Sequence, residues 1–346
     1  MRKNIIEHIT KRNQTMQTSA ITFPQANEVE VVHFDLPVSL AEDEVLTETL
    51  LSGVSSGTET RVLAGLQPGT QFPLIPGYEN IGRVIEMGAS VRNLKIGDIV
   101  FHSGSQKTGL YDRAWGGQMA HAVIAADDAL LIPGALPLED AIYAKVAGIA
   151  RHGIWRANVK AGEQVVIVGQ GIIGHLAAQI CVALGAGVTV LDVVAERLHA
   201  AEQAGAARVI NPTEVDAEQA LRESVGTPDV VVDATGNAAS LNQSLRYLPP
   251  KPWGKDFVIS PRFLILGSYP AEITLDYRLL FDREPDVIIT RDNLPADMQA
   301  AVEMMAQGSL VPALLNAQVL PFERAPEGYA RLLARQAHRV LFTWGK

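Results

Sequence analysis

Three closely spaced glycines and one acidic residue carry the clearest chemistry in this sequence. Gly169, Gly171 and Gly174 form a G-x-G-x-x-G pattern, and Asp192 follows eighteen positions after the last glycine. In such a pattern the first glycine permits a tight turn, the second lets the backbone approach a pyrophosphate, and the third lets a helix pack on a strand. A carboxylate at Asp192 can accept a hydrogen bond from a ribose 2′-hydroxyl, and it would repel a 2′-phosphate. The pattern predicts a dinucleotide site that favours NAD over NADP.

The surrounding residues predict the elements that hold this site. Val165 to Val168 form a β-branched run typical of a buried parallel strand, and His175 to Leu184 have helical spacing. A second strand, Val188 to Leu191, ends on Asp192. The phosphates would face the helix N-terminus, so the backbone of Ile172 and Ile173 joins the predicted cofactor contacts.

Composition limits what else the chain can be. It has 346 residues, of which 47% are hydrophobic and 19% charged, with a net charge of −9 and a pI near 5.4. This length suits two domains, each with a core of its own. The acidic balance and the lack of a basic face argue against nucleic acid as a partner.

The cysteine and hydropathy patterns favour a cytoplasmic protein. The single cysteine, Cys181, lies within the predicted apolar helix, so we expect it to pack in the core rather than form a disulfide or a zinc site. No apolar run reaches the length of a membrane span, and the first sixteen residues lack the apolar segment of a secretory signal. We therefore expect no membrane partner. Residues 1–15 are an N-terminal extension to which we assign no function.

Short alternating segments from Thr18 to Leu51 predict a β-rich domain ahead of the nucleotide motif. Pro76-Gly77-Tyr78-Glu79 and Lys95-Ile96-Gly97-Asp98-Ile99-Val100 follow in that order. They resemble the P-G-H-E and x-x-G-D-x-V motifs of the medium-chain dehydrogenase/reductase family of zinc alcohol and polyol dehydrogenases. Within that family, Ser56-Gly57-Thr58-Glu59 and the segment from Thr108 to Gly117 are most similar to the bacteriochlorophyllide hydroxyethyl dehydrogenases.

The resemblance implies a fold and its domain boundaries. It implies an α/β protein with a Rossmann doubly wound parallel sheet and a GroES-like β-rich catalytic domain. We expect the catalytic domain over residues 16–147, the Rossmann domain over 148–294, and a return to the catalytic domain over 295–346. The resemblance also implies a homodimer or homotetramer in which the strands Phe263 to Leu266 and Val287 to Ile289 leave an edge to be covered.

The positions that hold the catalytic zinc in relatives carry different residues here. Only Glu79 is kept. The replacements are Ser55 or Ser56 for a cysteine, Tyr78 for the histidine, Lys145 for a glutamate, and Ile149 for the cysteine that can stand in its place. One carboxylate without a thiolate or imidazole is not a zinc site, so we expect no metal and a zinc-independent reaction.

Two hypotheses address what replaces the metal. In the first, Lys145 supplies the missing positive charge and lowers the pKa of the Tyr78 phenol, which exchanges the substrate proton. Thr58 matches the start of the family's proton relay and would pass the proton towards His152. In the second, Tyr78 fills the space of the lost metal, Lys145 pairs with Glu79, and His152 is an ordinary helix residue.

The second half of the chain supplies further cofactor candidates. Arg197 would lie over the adenine or in solvent. The strands Asp229 to Gly236 and Arg262 to Gly267 resemble those that end against the coenzyme, which makes Thr235, Gly236, Gly267 and Ser268 candidate contacts. The segment Pro249 to Ser260 is longer than a plain turn and is a candidate insertion at the rim of the active site.

These observations predict an oxidoreductase that interconverts a secondary alcohol and a ketone with NAD(H) and a small-molecule substrate. An enoyl or quinone reductase of the same family is the first alternative, although such enzymes usually prefer NADPH and Asp192 argues against it. A hydroxyethyl-tetrapyrrole dehydrogenase is the second. A nucleotide-sensing or structural relative without activity is the third.

Overall fold

The computed structural model describes residues 15–254, 260–269 and 272–345, and these fall into two compact units. The β-rich unit comprises the chain up to Tyr143 and again from Asn316, and the parallel-sheet unit is Ala144–Leu315. The predicted boundaries were 147/148 and 294/295, whereas the observed ones are 143/144 and 315/316. The observed division differs because the helices Ala144–Arg156 and Pro295–Ala306 pack on each other inside the parallel-sheet unit.

The elements are numbered in chain order. The strands are β1 Thr15–Thr22, β2 Glu30–Pro37, β3 Glu44–Gly53, β4 Leu74–Ile75, β5 Asn80–Met87, β6 Ile99–His102, β7 Asp112–Arg113, β8 His121–Ala125, β9 Leu130–Leu131, β10 Gln164–Val168, β11 Gly187–Leu191, β12 Arg208–Ile210, β13 Val230–Asp233, β14 Arg262–Ile265, β15 Asp286–Ile289, β16 Gln318–Pro321 and β17 Val340–Thr343. The helices are α1 Thr58–Leu63, α2 Leu138–Ala141, α3 Ala144–Arg156, α4 Ile172–Ala183, α5 Ala195–Gln203, α6 Ala217–Ser224, α7 Leu241–Arg246, α8 Tyr277–Arg283, α9 Pro295–Ala306 and α10 Ala325–Leu333.

The β-rich unit is built on one large mixed sheet. Its strands lie in the order β16, β17, β3, β5, β6 and β9, and β8 also pairs with β3. The C-terminal strand β17 pairs antiparallel with β3, so the end of the chain returns to the first domain as predicted. An apolar core that includes Phe23, Tyr329 and Phe342 joins the first segment to the returning helix α10.

The parallel-sheet unit is a six-stranded sheet in the order β12, β11, β10, β13, β14, β15, with every pairing parallel. β10 is buried over Val165, Val166 and Ile167, as expected for a central strand covered on both faces. The predicted α/β class with a Rossmann sheet and a β-rich domain is therefore confirmed. Of the two strands expected to leave an edge, β15 is the outermost in the described sheet, and β14 lies between β13 and β15.

Three further predictions concern Cys181, the chain segments outside the described residues, and membrane-spanning helices. Cys181 is buried and free within α4, as expected for a core residue. Residues 255–259 of the candidate rim segment lie outside the described residues, as do residues 1–14 of the N-terminal extension. Among the helices that the structure describes, none is long and apolar enough to cross a bilayer.

Candidate active site

The glycine loop between β10 and α4 has the conformation that the sequence predicts. Gly169 has φ of +90°, in the region that favours glycine. A Cβ on Gly174 would overlap the Gly169 carbonyl oxygen, so only glycine lets helix and strand approach this closely. A Cβ on Gly171 would meet nothing within 4 Å. The loop therefore leaves open space at the residue that begins the helix.

Helix α4 starts three residues earlier than the apolar periodicity predicted. Gly171 is its N-cap residue, and no side chain caps the helix. Ile172 and Ile173 thus form its first turn, with backbone N–H groups pointing out of the N-terminus. An uncapped helix start beside open space can bind an anion such as a phosphate.

Asp192 follows the end of β11, is buried, and holds the glycine loop. Its carboxylate accepts from the backbone N–H of Gln170 at 2.6 Å and from that of Val194 at 2.9 Å. Arg197 lies with Nη1 3.6 Å from Asp192 Oδ2. A carboxylate has about four lone-pair sites, so it can still accept from a ribose. The nearby guanidinium weakens the repulsion that Asp192 exerts on a 2′-phosphate.

Two loops beyond β13 and β14 lie against each other. A Cβ on Gly267 would lie 2.7 Å from the Gly236 backbone nitrogen, and one on Gly236 would lie 3.1 Å from the Ser268 carbonyl oxygen. Asp233 gathers both loops, since it accepts from the Thr235 hydroxyl at 2.7 Å and from the Tyr269 hydroxyl. The structure therefore brings Thr235, Gly236, Gly267 and Ser268 together at the carboxyl ends of adjacent strands.

In the β-rich unit, Tyr78 is the centre of a small hydroxyl cluster. Its phenol donates to Ser55 Oγ and also hydrogen-bonds the Thr58 side chain. Burial and then the negative charge of Glu79 raise the pKa of Tyr78 to about 12. The expectation of a lowered phenol pKa is thus not met. Tyr78 is therefore protonated at neutral pH, and its hydroxyl donates to Ser55.

Glu79 is held by an arginine that the sequence did not single out. Arg339, immediately before β17, donates from Nη1 to Glu79 Oε1 at 3.1 Å and from Nη2 to Glu79 Oε2. Both side chains are fully buried. The Arg339 guanidinium also lies 4.7 Å from the centre of the Tyr143 ring. Because both carboxylate oxygens of Glu79 are occupied, Lys145 is not its partner.

Glu59 is a second buried carboxyl beside the hydroxyl cluster. It accepts from the Ser55 backbone N–H at 2.8 Å, from the Tyr329 hydroxyl at 2.6 Å and from Gln118 Nε2 at 3.3 Å. Burial raises the pKa of Glu59 to about 7, against the opposing effect of the Tyr329 and Ser55 hydrogen bonds. Glu59 therefore titrates near neutral pH and fixes the loop that contains Ser55.

Lys145 and His152 lie on α3, and their partners come from the segment around α9. Lys145 Nζ pairs with Asp292 Oδ1 at 2.7 Å. His152 Nδ1 lies 2.8 Å from Asp297 Oδ2, and Arg151 also bonds this carboxylate. Asp297 in turn accepts from the Leu294 backbone N–H at the start of α9. His152 and Arg151 thus link α3 to α9 through Asp297. This structural contact agrees with the second hypothesis for His152.

Comparison with known proteins identifies the chain. The alcohol dehydrogenase GroES-like domain family matches residues 41–134, and the zinc-binding dehydrogenase family matches residues 173–307. An alcohol dehydrogenase of Geobacillus stearothermophilus is 30% identical over 293 residues, covering 77% of this chain and 81% of that protein. The chain belongs to the medium-chain dehydrogenase/reductase family. It is an alcohol dehydrogenase-like oxidoreductase.

Other members of the family span nearly the whole chain. A 2-desacetyl-2-hydroxyethyl bacteriochlorophyllide A dehydrogenase of Cereibacter sphaeroides is 28% identical and covers 91% of this chain and 94% of its own. A zinc-binding dehydrogenase structure from Sinorhizobium meliloti, bound to NADP, has a TM-score of 0.81 at 22% identity over 95% of this chain and 99% of its own. The structure of an Escherichia coli alcohol dehydrogenase complexed with NADH also has a TM-score of 0.81, at 20% identity, and covers 94% of this chain and 99% of its own.

The side chains at the family's zinc positions do not fit a zinc ion. Ser55 and Tyr78 offer neutral hydroxyls that bond each other, and Glu79 is bound on both oxygens by Arg339. Zinc requires about four ligands drawn from thiolates, imidazoles and carboxylates. Across residues 15–254, 260–269 and 272–345, no three His, Cys, Asp or Glu side chains group in a way that could hold a metal.

Several residues around the family's site were not predicted because their partners are distant in the chain. Glu59 and Tyr329 are 270 positions apart, and Glu79 and Arg339 are 260 apart. No local pattern marks these two charges as buried, since Glu59 lies between Thr58 and Thr60 and Arg339 directly follows His338. A charge in a buried segment needs a partner, but the pattern does not say which.

Proposed function

We propose that this family member interconverts a secondary alcohol and a ketone with NAD(H), without zinc. The observation that carries the proposal is the combination of an open glycine loop, hydrogen-bonded to Asp192, with hydroxyls at the positions aligned with the metal ligands. Relatives named as alcohol dehydrogenases support the reaction class. Structures of relatives with NADP and with NADH support a nicotinamide cofactor.

The cofactor would be held by residues of the parallel-sheet unit. Gly169, Gly171, Gly174 and the first turn of α4 would receive the pyrophosphate, and Asp192 the adenosine ribose. Thr235, Gly236, Gly267 and Ser268 would lie towards the nicotinamide. When bound, the nicotinamide accepts hydride from the alcohol carbon or delivers it to the ketone carbon.

Protons would be handled by hydroxyls of the β-rich unit. Because Tyr78 donates to Ser55 Oγ, the hydroxyl proton of Ser55 is free to bond a substrate oxygen. In ketone reduction, Ser55 would give its proton to the oxygen that becomes the alcohol, and Tyr78 would return a proton to Ser55. A proton from solvent would then restore Tyr78 through the half-buried Thr58 hydroxyl. Because burial raises the pKa of Tyr78 to about 12, the phenol is protonated at neutral pH and holds the proton that would replace the one given up by Ser55.

Lys145 is the remaining candidate for the charge that zinc would supply. Its ion pair with Asp292, whose side chain is 56% exposed, offsets part of that charge. We therefore propose that the hydroxyl pair carries the larger share of catalysis. His152, bonded to Asp297, would support α3 rather than pass protons.

Variants of these residues test the proposal. Tyr78→Phe and Ser55→Ala should each lower kcat for ketone reduction by roughly a hundredfold, the range typical of a lost general acid, with little change in KM. Lys145→Met should lower kcat for ketone reduction by less than either of these variants. His152→Asn serves as the control and should retain most turnover. Full activity in Tyr78→Phe and Ser55→Ala would refute the hydroxyl assignment, and a larger loss in Lys145→Met would favour the ammonium.

A further inference from the structure

An aromatic residue with an unusual backbone lies against Tyr78. Trp115 packs edge-to-face on the Tyr78 ring, with centroids 5.1 Å apart and an interplanar angle of 71°. Its φ is +73°, in the left-handed region that bulky residues rarely adopt. Tyr78 is 9% exposed, whereas Trp115 is 39% exposed. An accessible indole surface thus stands beside the buried phenol.

The backbone around Trp115 is fixed by a close approach of two segments. The N–H of Gly117 donates to the Gly77 carbonyl at 2.7 Å, and that of Gln118 donates to the Pro76 carbonyl at 2.9 Å. A Cβ on Gly117 would lie 2.6 Å from the Gly77 oxygen, so only glycine allows this approach. The segment that carries Trp115 is therefore locked onto the segment that carries Tyr78.

The backbone of Trp115 and Gly116 is also fixed by contacts with Gly104 and Ser105. The Ser105 N–H donates to the Gly116 carbonyl at 3.0 Å, and Gly116 itself has φ of +76°. A Cβ on Gly104 would overlap the Trp115 carbonyl oxygen. A non-glycine residue kept in a left-handed conformation persists only where its surroundings impose it, and such residues concentrate at ligand sites. Glycine at position 115 would relieve the strain, yet the chain has tryptophan there.

We infer that Trp115 is a specificity-determining residue that forms an apolar wall for substrates with a flat aromatic group on the carbinol or carbonyl carbon. The inference rests on the proposed function, because the reacting oxygen would lie at the Ser55 and Tyr78 hydroxyls. Stacking and edge-on contacts with an indole favour planar apolar groups. A polyol would lose water from its hydroxyls against this surface without gaining hydrogen bonds from it.

Two substrate pairs test the inference. The wild-type protein and Trp115→Gly are assayed with 1-phenylethanol and 2-butanol in the forward direction, and with acetophenone and 2-butanone in reverse. Glycine accepts φ of +73° without strain, so the loop should keep its conformation while the indole is removed. We expect kcat/KM for the aromatic pair to fall roughly tenfold and that for the aliphatic pair to change less than about threefold.

Controls separate the indole from folding. Trp115→Phe keeps an aromatic ring and should retain an intermediate preference for the aromatic pair, which is measurable even if Trp115→Gly is unstable. Tyr277→Ala removes an aromatic residue that is 73% exposed in the parallel-sheet unit and should change kcat/KM for neither substrate pair.

The outcomes distinguish this inference from the proposed function. An equal loss for both pairs in Trp115→Gly, or no loss for either, would overturn the role of Trp115. Turnover of the aliphatic pair alone by the wild-type protein would also overturn it while leaving the proposed function intact. Turnover of none of the four compounds by the wild-type protein would reject the proposed function and this inference with it.

Discussion

At the scale of single residues, Asp192 has a structural contact that the sequence pattern does not predict. The pattern predicts a ribose acceptor, whereas the structure adds a hydrogen bond from the Gln170 N–H that shapes the glycine loop. Arg197, 3.6 Å away, is a cation close enough to affect the same oxygen. We therefore expect cofactor preference to depend on the balance between the Asp192 carboxylate and the Arg197 guanidinium rather than on Asp192 alone.

This balance leads to a prediction about cofactor affinity. The wild-type protein should bind NADH roughly tenfold more tightly than NADPH, about 1.4 kcal/mol. Asp192→Asn keeps an acceptor oxygen but removes the charge, so it should bring the two affinities closer. Arg197→Ala removes the offsetting cation and should widen the ratio. Fluorescence titration of each variant measures these ratios, with the exposed neighbour Glu196→Ala as the control. Equal wild-type affinities, or a narrower ratio in Arg197→Ala, would be inconsistent with this view.

A second residue-scale prediction concerns Glu59 and stability. Its pKa is about 7 in the folded protein against 4.5 for the ordinary group, so the folded state holds the proton more tightly. The stability contribution of this group is fully present below pH 4.5 and is lost as pH rises through about 7, by about 3 kcal/mol. Glu59→Gln should remove that part of the pH dependence, as measured by denaturant unfolding between pH 4.5 and 8.

The exposed carboxylate Glu30 gives a matched control for Glu59. Glu30→Gln should leave the pH dependence of unfolding as it is in the wild-type protein. A Glu59→Gln profile that parallels the wild-type profile would show that Glu59 does not titrate in this range.

At the scale of elements, the sequence predicted the elements whose residues are contiguous, but it did not predict contacts between residues far apart in the chain. The unit from β10 through α4 to β11 could be read from the sequence, because its glycines, apolar periodicity and terminal acid are contiguous. Only the start of α4 was misplaced, since its first turn lies within the glycine pattern and has no apolar periodicity of its own. The role of Asp297 was missed because its partners Arg151 and His152 are about 145 positions away.

The same contrast holds at the zinc positions. Alignment of motifs placed Tyr78 and Glu79 at former ligands, but the partner of Glu79 could not be found because Arg339 returns from the far end of the chain. The pKa of Tyr78 is raised rather than lowered as the first hypothesis held, because burial and the adjacent Glu79 raise it and Lys145 pairs with Asp292 instead.

The edge strand β15 supports a prediction about assembly. In the described part of the chain it pairs on one side only, with β14, and it exposes Val287 by 41% and Ile289 by 61%. Unprotected apolar edges favour pairing with another strand, and a two-fold axis would let β15 pair with its own copy. We expect light scattering at micromolar concentration to give at least a dimer.

A charge on this edge should weaken the association. Ile289→Glu should shift the mass towards the monomer, whereas Leu66→Glu, at a residue 74% exposed in the β-rich unit, should not. A monomeric mass for the wild-type protein would argue against the edge as an interface.

At the scale of the whole molecule, the chain has both domains of the family, whereas the residues aligned with the family's zinc ligands differ. The parallel-sheet unit retains the glycine loop and the terminal acid of β11. The β-rich unit carries a buried Glu79–Arg339 pair and the Tyr78–Ser55 hydroxyls where relatives bind zinc. The central claim is therefore that this alcohol dehydrogenase-like fold transfers hydride with hydroxyl groups in place of a metal.

The most direct test measures metal content and turnover on the same purified sample. Elemental analysis should give well under one equivalent of zinc, and NADH oxidation with a ketone substrate should proceed at the same rate before and after treatment with a chelator. Stoichiometric zinc, or activity that is lost with the chelator and restored by added zinc, would contradict the claim.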